Sequence, residues 1–255
     1  MILSVMGVPR TLSFLLMLPI AAVAEERPQE PPAKTAEAKP AIERLDGSRY
    51  KLGEITFDQK SREIRFPAKV NMTEGLLEYL VVHSRGKVHE SLFSTEVSPT
   101  KLNVVFTLLR YPASKELYAT DSPVDHEAGT KFPNVAADVK AGARVDIKVE
   151  WSDGTGKTRA VPVNEWIAHA VTEKQMPSGP WVYGGSEISN NRYQAEATGD
   201  VVAIFLSSSA ILNYPGKDNN DDEAWLPFPK RVPAIGTPVV LIITPNQSPK
   251  PVATP

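Results

Sequence analysis

The sequence predicts an α+β domain, built mainly from antiparallel β-hairpins with one principal amphipathic helix packed on the sheet. Short runs rich in β-branched and aromatic residues recur between turn signals, which is typical of strands. One segment, at about 98–110, instead carries apolar residues at helical spacing. The chain contains no cysteine, so disulfides and cysteine-ligated metal centres are excluded and the core alone must stabilise the fold.

The chain begins with the features of an export signal. One basic residue, Arg10, precedes the apolar run "LSFLLMLPIAAVA", in which Ala22 and Ala24 form the A-x-A pattern that signal peptidase accepts. We therefore expect residues 1–24 to be a signal peptide, cleaved after Ala24 by signal peptidase, and the mature protein to be periplasmic or secreted. Every apolar run is shorter than the roughly 20 residues that cross a bilayer, so no integral membrane span is expected in the mature chain.

Two proline-bearing segments flank the predicted domain. Residues 25–45 are rich in proline, alanine and charge and offer too little apolar surface to fold, which predicts a disordered tether. We expect a folded domain at 46–244, either single or divided into packed subdomains at 46–115 and 140–244, and a flexible tail at 245–255. The net charge of −2 shows no excess of the basic residues that bind nucleic-acid phosphates, so nucleic acid is not an expected partner.

Several hairpins are predicted along the domain. "YKLGEITFDQKSREIRFPAKVN" contains two short runs separated by the turn-prone "DQKS". "RVDIKVEWSD" alternates apolar and polar residues, and "DGTGK" turns the chain into "TRAVPV". Strands are also predicted at "PWVYGG", "RYQAEAT", "DVVAIFLS" and "TPVVLIIT".

The principal helix is predicted from "SPTKLNVVFTLLRY". Ser98 can accept backbone N–H bonds as the N-cap, and Pro99 suits the first helical position, where its missing N–H has no consequence. Leu102, Val105, Phe106 and Leu109 follow at i, i+3, i+4 and i+7 and form one apolar stripe. This stripe should face the sheet.

A further hairpin is predicted where Arg85 and Gly86 separate "LLEYLVVHS" from "KVHESLF". With a two-residue loop, His89 would face Val82, and Glu78, His89 and Ser91 would share one face of the sheet. With a three-residue loop, His89 would face His83 instead. A shift of one residue reverses every side chain, so the register decides which side chains can meet.

Three interpretations of this segment follow. The first is catalytic, with Ser91 as nucleophile, His89 as base and Glu78 or Glu90 as the orienting group. A strand interior, however, supplies no exposed elbow for the nucleophile and no oxyanion donors. His83 and His89 could hold a metal ion with one carboxylate, although Phe93 stands where an HExxH motif needs its second histidine. We favour the third interpretation, in which the polar side chains hydrogen-bond across the strands and fix the register. No catalytic residue and no cofactor is therefore assigned.

Two other regions carry candidate binding residues. Asp218, Asn220 and Asp222 occupy alternate positions, as in a calcium loop, but Glu223 and Pro229 replace the glycine and the closing glutamate that an EF-hand needs. The segment is a weak cation candidate or a solvated acidic loop. The rings of Trp181, Tyr183, Trp225 and Phe228 could line a ligand groove, or could pack beneath a long loop as part of the core.

The segment "RFPAKVNMTEGLLEYLVVHSRGKVHESLFSTEVSPTKLNVVFTLL" resembles the YdjY-domain family of secreted bacterial proteins, and "WVYGGSEI", "YQAEATGDVVAIF" and "PAIGTPVVLIITP" are similar to its second half. The resemblance covers most of residues 46–245 and implies export without naming a reaction. Two positions depart from the family pattern. Asn103 stands where the family often has histidine, and Tyr111 follows Arg110 where a glycine commonly ends the helix.

Two functions of different classes follow from the sequence. The first is a noncatalytic binding or structural module of the bacterial envelope, with an envelope or extracellular partner. The second is a hydrolase, with or without a metal ion, centred on His89 with Glu90 or Glu78. The burial of His89 and the register at Arg85 and Gly86 distinguish the two.

Overall fold

The computed structural model describes residues 42–121 and 130–246. The predicted signal peptide, the predicted tether up to residue 41 and the predicted tail from residue 247 lie outside the described residues. In the part of the chain that the structure describes, no helix combines the length and apolar character that a bilayer crossing requires.

Most of the described regular structure is β-strand. The strands are β1 (Ile42–Asp46), β2 (Arg49–Leu52), β3 (Ile55–Asp58), β4 (Ile64–Val70), β5 (Tyr79–His83), β6 (Ser91–Thr95), β7 (Arg144–Ser152), β8 (Thr158–Pro162), β9 (Ile167–His169), β10 (Trp181–Tyr183), β11 (Ile188–Ser189), β12 (Arg192–Tyr193), β13 (Asp200–Ala203), β14 (Leu212–Asn213), β15 (Trp225–Pro227) and β16 (Pro238–Pro245). The α-helices are α1 (Pro99–Leu108), α2 (Ala137–Gly142) and α3 (Gln194–Thr198), and short 3₁₀ helices span Val88–Glu90 and Val163–Trp166.

The main sheet closes on itself into a barrel, which the expectation of simple packed hairpins did not include. The ring runs β4, β16, β7, β10, β14, β13, β5 and β6, and β6 pairs with β4 to close it. The range 46–115 contributes β4, β5 and β6 to this ring, and 140–244 contributes the five strands between β4 and β5, so both ranges take part in one sheet. A barrel removes the unpaired edges that an open sheet would expose.

The predicted β3–β4 and β7–β8 hairpins are confirmed. β3 pairs with β4, and β2 and β1 extend the same antiparallel meander. β7 pairs with β8 across the turn at 153–157. β1 corrects the predicted tether boundary, because the chain is already a strand at Ile42. Every residue of β1 is exposed, so the strand depends on backbone pairing with β2 and shows no apolar pattern in the sequence.

The principal helix is confirmed, and its predicted stripe is buried. The Ser98 hydroxyl accepts a hydrogen bond from the Lys101 N–H at 3.3 Å, and Pro99 is the first helical residue. Leu102, Val105, Phe106 and Leu109 all lie in the main hydrophobic core. The stripe packs against the barrel strands, where the Phe106 ring stacks on the Tyr183 ring with centroids 4.3 Å apart.

The predicted hairpin at Arg85 and Gly86 is wrong, because β5 and β6 are parallel. Tyr79 pairs with Ser91 and Val81 with Phe93, and residues 84–90 carry the chain back through a turn and the Val88–Glu90 3₁₀ helix. Both strands are buried along their whole length, as is typical of parallel strands covered on two faces. His89 therefore faces neither Val82 nor His83.

A second correction concerns "RYQAEAT". Only Arg192 and Tyr193 are extended, and α3 follows directly with Gly199 as its left-handed C-cap, at φ 84°. The Glu196 carboxylate of α3 accepts hydrogen bonds from the Ser98 hydroxyl and the Thr100 N–H, at 2.8 and 2.9 Å. α3 thus supplies an acceptor to the N-terminus of α1.

Candidate functional site

The polar residues around the β5–β6 crossover gather about one lysine. The Lys87 ammonium donates a hydrogen bond to Glu78 Oε2 at 3.3 Å and lies 3.0 Å from Glu90 Oε1, an ion pair without hydrogen-bond geometry. We call Glu78, Lys87 and Glu90 the acid–lysine cluster. Glu78 immediately precedes β5, whereas Lys87 and Glu90 stand at the two ends of the 3₁₀ turn, so the cluster joins the start and the return of the crossover.

Backbone contacts hold this turn in place. The Glu78 N–H donates to the Glu90 carbonyl at 3.1 Å. Asn71, just beyond β4, donates its side-chain amide to the carbonyls of Val88 and Ser91. The two carboxylates of the cluster are thereby fixed on either side of the lysine.

The cluster keeps its lysine charged. Burial acts to lower the pKa of Lys87, but the neighbouring Tyr79, Glu90 and Glu78 outweigh burial and the pKa lies above its ordinary value. Burial raises the pKa of Glu78, and Lys87 only partly offsets this effect. A permanently protonated lysine offers hydrogen-bond donors but no lone pair, so Lys87 suits an ion pair and not a nucleophile or a base.

A buried carboxylate lies behind the cluster. Asp200, at the start of β13, is 3% exposed, and its Oδ2 accepts hydrogen bonds from the Tyr79 hydroxyl at 3.3 Å and the Ser207 hydroxyl at 3.4 Å. Asp200 Oδ1 is buried without a hydrogen-bond partner among the described residues. Burial raises the pKa of Asp200, with the hydrogen bonds and the Lys87 charge acting in the opposite direction.

The predicted serine, histidine and glutamate are close in sequence but do not form a catalytic relay. The Ser91 hydroxyl is buried and donates to the Phe93 carbonyl at 2.8 Å. The His89 side chain is 78% exposed, and its Nε2 lies 3.8 Å from Glu90 Oε2. A nucleophile and its base must be within hydrogen-bond reach, and Ser91 is instead bonded to the backbone.

The predicted metal ligands are also engaged elsewhere. His83 is buried, and its Nδ1 accepts hydrogen bonds from the backbone N–H of Arg85 at 3.1 Å and from the guanidinium of Arg85 at 3.4 Å. In residues 42–121 and 130–246, no three or more histidine, aspartate or glutamate side chains come together in a way that could hold a metal ion.

The acidic loop at 218–222 does not converge on a cation position in the described structure. Asp218 Oδ2 lies 3.4 Å from His169 Nε2, and Asp218 Oδ1 lies 3.8 Å from Lys217 Nζ. Asn220 and Asp222 are exposed. The carboxylate of Asp218 therefore pairs with basic side chains of its own surroundings.

Three of the four rings predicted for a groove belong to the core. Trp181, Tyr183 and Trp225 are buried, and Tyr214 lies between the two tryptophans with ring centroids at 5.5 and 5.7 Å. Phe228 is half-buried beneath the guanidinium of Arg231, at 3.6 Å from its ring centroid. These rings do not form an open groove, since most of their surface already contacts other core side chains.

Sequence reasoning missed Lys87 and Asp200. Lys87 stands within "GKVHESLF", next to the candidate residues of that segment, but the hairpin register placed it away from both glutamates. Asp200 is the first residue of "DVVAIF" and directly precedes an apolar run. An acidic residue in that position could have indicated a buried carboxylate that needs a polar contact. Lys87 could not be connected to Glu78 without the parallel β5–β6 crossover, and Asp200 could not be connected to β5 without the antiparallel β13–β5 pairing.

The comparisons with known proteins identify one family. A family model described as the YdjY domain matches residues 55–244. A genome polyprotein of Kyasanur forest disease virus is 30% identical over 149 residues, which cover 55% of this chain and 4% of that polyprotein. So small a share of the polyprotein transfers no activity. No solved structure matches the chain significantly.

Proposed function

The chain belongs to the YdjY-domain family, and from this premise we propose that it is an exported, noncatalytic binding or structural module of the bacterial envelope. The export part rests on the signal-peptide pattern that ends at Ala24. The partner is an envelope or extracellular component. The mature form is periplasmic or secreted.

One observation carries the noncatalytic part of the proposal. The Ser91 hydroxyl donates to the Phe93 carbonyl, so the only serine of the candidate relay serves the backbone of its own strand. The glutamates beside it are paired with Lys87, whose pKa is raised. Each reactive group of "GKVHESLF" except His89 thus has a contact that stabilises the β5–β6 crossover.

Export is tested by fractionating cells that produce the full chain with a C-terminal tag and measuring the mass of the product. We expect a product that begins at Glu25 outside the cytoplasm. A Leu16→Arg variant, which interrupts the apolar run, should remain uncleaved in the cytoplasm. An uncleaved wild-type chain in the cytoplasm would contradict the proposal.

A hydrolase centred on His89 is the second candidate, with Glu90 or Glu78 as the carboxylate. The observation in its favour is the exposed imidazole 3.8 Å from Glu90, beside a Glu78 whose pKa is raised by burial. Purified protein is assayed with ester, amide and glycoside reporter substrates, with and without added Zn²⁺. We expect no turnover above buffer. Turnover that disappears in His89→Ala but persists in Glu74→Gln, an exposed control, would replace the first proposal with this one.

A further inference from the structure

A concave region lies on the opposite part of the ring from the acid–lysine cluster. It is a cavity of about 520 Å³ between β7, the end of β16, the 3₁₀ helix after β8 and the loop before β10. Ligand cavities in proteins commonly measure about 300–1,000 Å³. Its polar lining consists of Ser61, Asp146, Lys148, Asn164, Ser178 and Thr244.

The sheet register places the floor of this cavity on one face. Asp146 of β7 is directly opposite Thr244 of β16, and Lys148 is directly opposite Pro162 of β8. Directly opposite residues point to the same side of a sheet, and so do residues two apart on one strand. Asp146, Lys148 and Thr244 therefore present an acceptor, a donor and a hydroxyl side by side, with Pro162 as an apolar neighbour.

The lining of this cavity also contains a fixed amide. Asn164 is 3% exposed, and its Nδ2 donates to the Pro177 carbonyl at 2.8 Å. This bond orients the amide and leaves the side-chain carbonyl oxygen as the acceptor that Asn164 can offer to the cavity. Because the amide is held before any ligand arrives, binding would not have to order it.

Several polar groups of the cavity are unused by the fold. Within the described residues, Lys148 forms no ion pair and the Ser178 hydroxyl forms no hydrogen bond. Asp146 Oδ1 accepts one hydrogen bond, from the Asn246 amide at 2.8 Å, which leaves the second carboxylate oxygen for another donor. The cavity thus offers both donors and acceptors to a ligand.

The composition of the lining selects a ligand class. One lysine and one aspartate balance each other, which does not favour a phosphate or another polyanion. Within the described residues, the lining contains no aromatic ring, which does not favour a flat apolar ligand. Hydroxyl, amide and charged groups that can both donate and accept match a molecule whose own groups are hydroxyls.

We propose that this cavity binds a neutral oligosaccharide. The inference rests on the proposed function, because an exported envelope module meets polysaccharide outside the cytoplasm. The hydroxyls of the sugar would donate to Asp146 and Asn164 and accept from Lys148, and its C–H surface would contact Pro162.

The test uses the purified protein in the form that accumulates in cells, titrated with chitotriose, cellotriose and maltotriose. Binding is followed by calorimetry and by amide chemical shifts. We expect saturable binding of at least one trisaccharide, with shifts concentrated at 146–148, 164, 178–179 and 244–245. Lys148→Met and Asp146→Asn should each weaken binding at least tenfold. The exposed controls Lys157→Met and Asp222→Asn should bind as the wild type does.

Three results would overturn the inference: no saturable binding of any trisaccharide, binding that Lys148→Met and Asp146→Asn leave unchanged, or binding of glycylglycine or inorganic phosphate in place of the sugars. Lys148 is exposed, so loss of folding is not expected in its variant. If no trisaccharide binds, the results of the export and turnover experiments still stand. If the protein stays in the cytoplasm or shows hydrolytic turnover, the proposed function is overturned, but a measured binding of sugar is not.

Discussion

Val81 pairs with Phe93 in a parallel register, although the segment between their strands is short. The crossover at 84–90 therefore packs against neighbouring backbone, and Gly86 leaves little room for a side chain beside Thr198 and His83.

Gly86→Ala should destabilise the protein by about 1–3 kcal/mol, in the range of other overpacked sites. A Cβ at residue 86 would lie 2.9 Å from the Thr198 carbonyl oxygen and 3.2 Å from that of His83, and neither backbone can move freely. Urea unfolding measures the change. Gly179→Ala is the control, because a Cβ there meets nothing within 4 Å. Equal free energies of unfolding for the two variants would contradict the close approach.

Arg110→Gly should stabilise the protein by about 0.5–1 kcal/mol. Arg110 follows the Leu109 C-cap of α1 with φ 58°, in the left-handed region that glycine adopts without strain. Its N–H donates to the Thr107 carbonyl and the Tyr111 N–H to the Phe106 carbonyl, at 3.0 and 3.1 Å, as in a Schellman motif. Lys101→Gly, inside the same helix, should instead destabilise by about 1 kcal/mol. Thermal unfolding measures both changes in stability. A change of the same sign in Arg110→Gly and Lys101→Gly would contradict the left-handed conformation of Arg110.

Glu196→Ala should cost about 1–2 kcal/mol of folding free energy, and Glu196→Gln less, because the amide keeps an acceptor. The carboxylate satisfies the Thr100 N–H at the positive end of α1 and pairs with Arg85 at 3.3 Å. Burial alone would raise the pKa of Glu196, but the bonds from Thr100 and Ser98 outweigh burial and lower it. Glu74→Gln, at an exposed position, should change little. A larger loss of folding free energy in Glu196→Gln than in Glu196→Ala would be incompatible with a capping role.

Asp200→Asn should remove a pH-dependent part of the stability. Burial raises the pKa of Asp200 above its ordinary 3.8, so the folded state favours the protonated acid. Its contribution is therefore fully present below the pKa of the unfolded chain and is lost as the pH rises through the pKa of the folded protein. The variant should gain stability relative to the wild type as the pH rises above about 4. The free energy of unfolding of each protein is measured from pH 3 to 8, with the exposed Asp222→Asn as the control. Asp222→Asn should differ from the wild type by the same amount at every pH, and the same constant difference for Asp200→Asn would contradict this account.

The local elements were predictable because their signals are local. Ser98, Pro99 and the apolar stripe define α1 within a dozen residues, and the alternation of β7 shows which of its faces is buried. Pairing between distant strands has no such signal. β4 of the early chain pairs with β16 near its end and also with β6, and the barrel needs both pairings to close.

The candidate site was only partly predictable for the same reason. Glu78 and Glu90 were selected as polar residues in an apolar context, and the structure does bring them together. Their partner Lys87 depends on a parallel crossover, whereas Arg85 and Gly86 match the composition of a hairpin loop equally well. One sequence signal does distinguish the two: "YLVV" and "SLF" lack the alternation that a half-exposed hairpin strand would show.

The central claim is that the charged residues of "GKVHESLF" hold the crossover together, and a double-mutant cycle of Lys87→Met and Glu90→Gln tests it most directly. Lys87 is about half exposed, so solvent screening limits the expected coupling free energy to about 1 kcal/mol at neutral pH. The double variant should then be destabilised by less than the sum of the two single variants. If the loss of unfolding free energy in the double variant equals the sum of the two single losses within about 0.3 kcal/mol, the claim is contradicted.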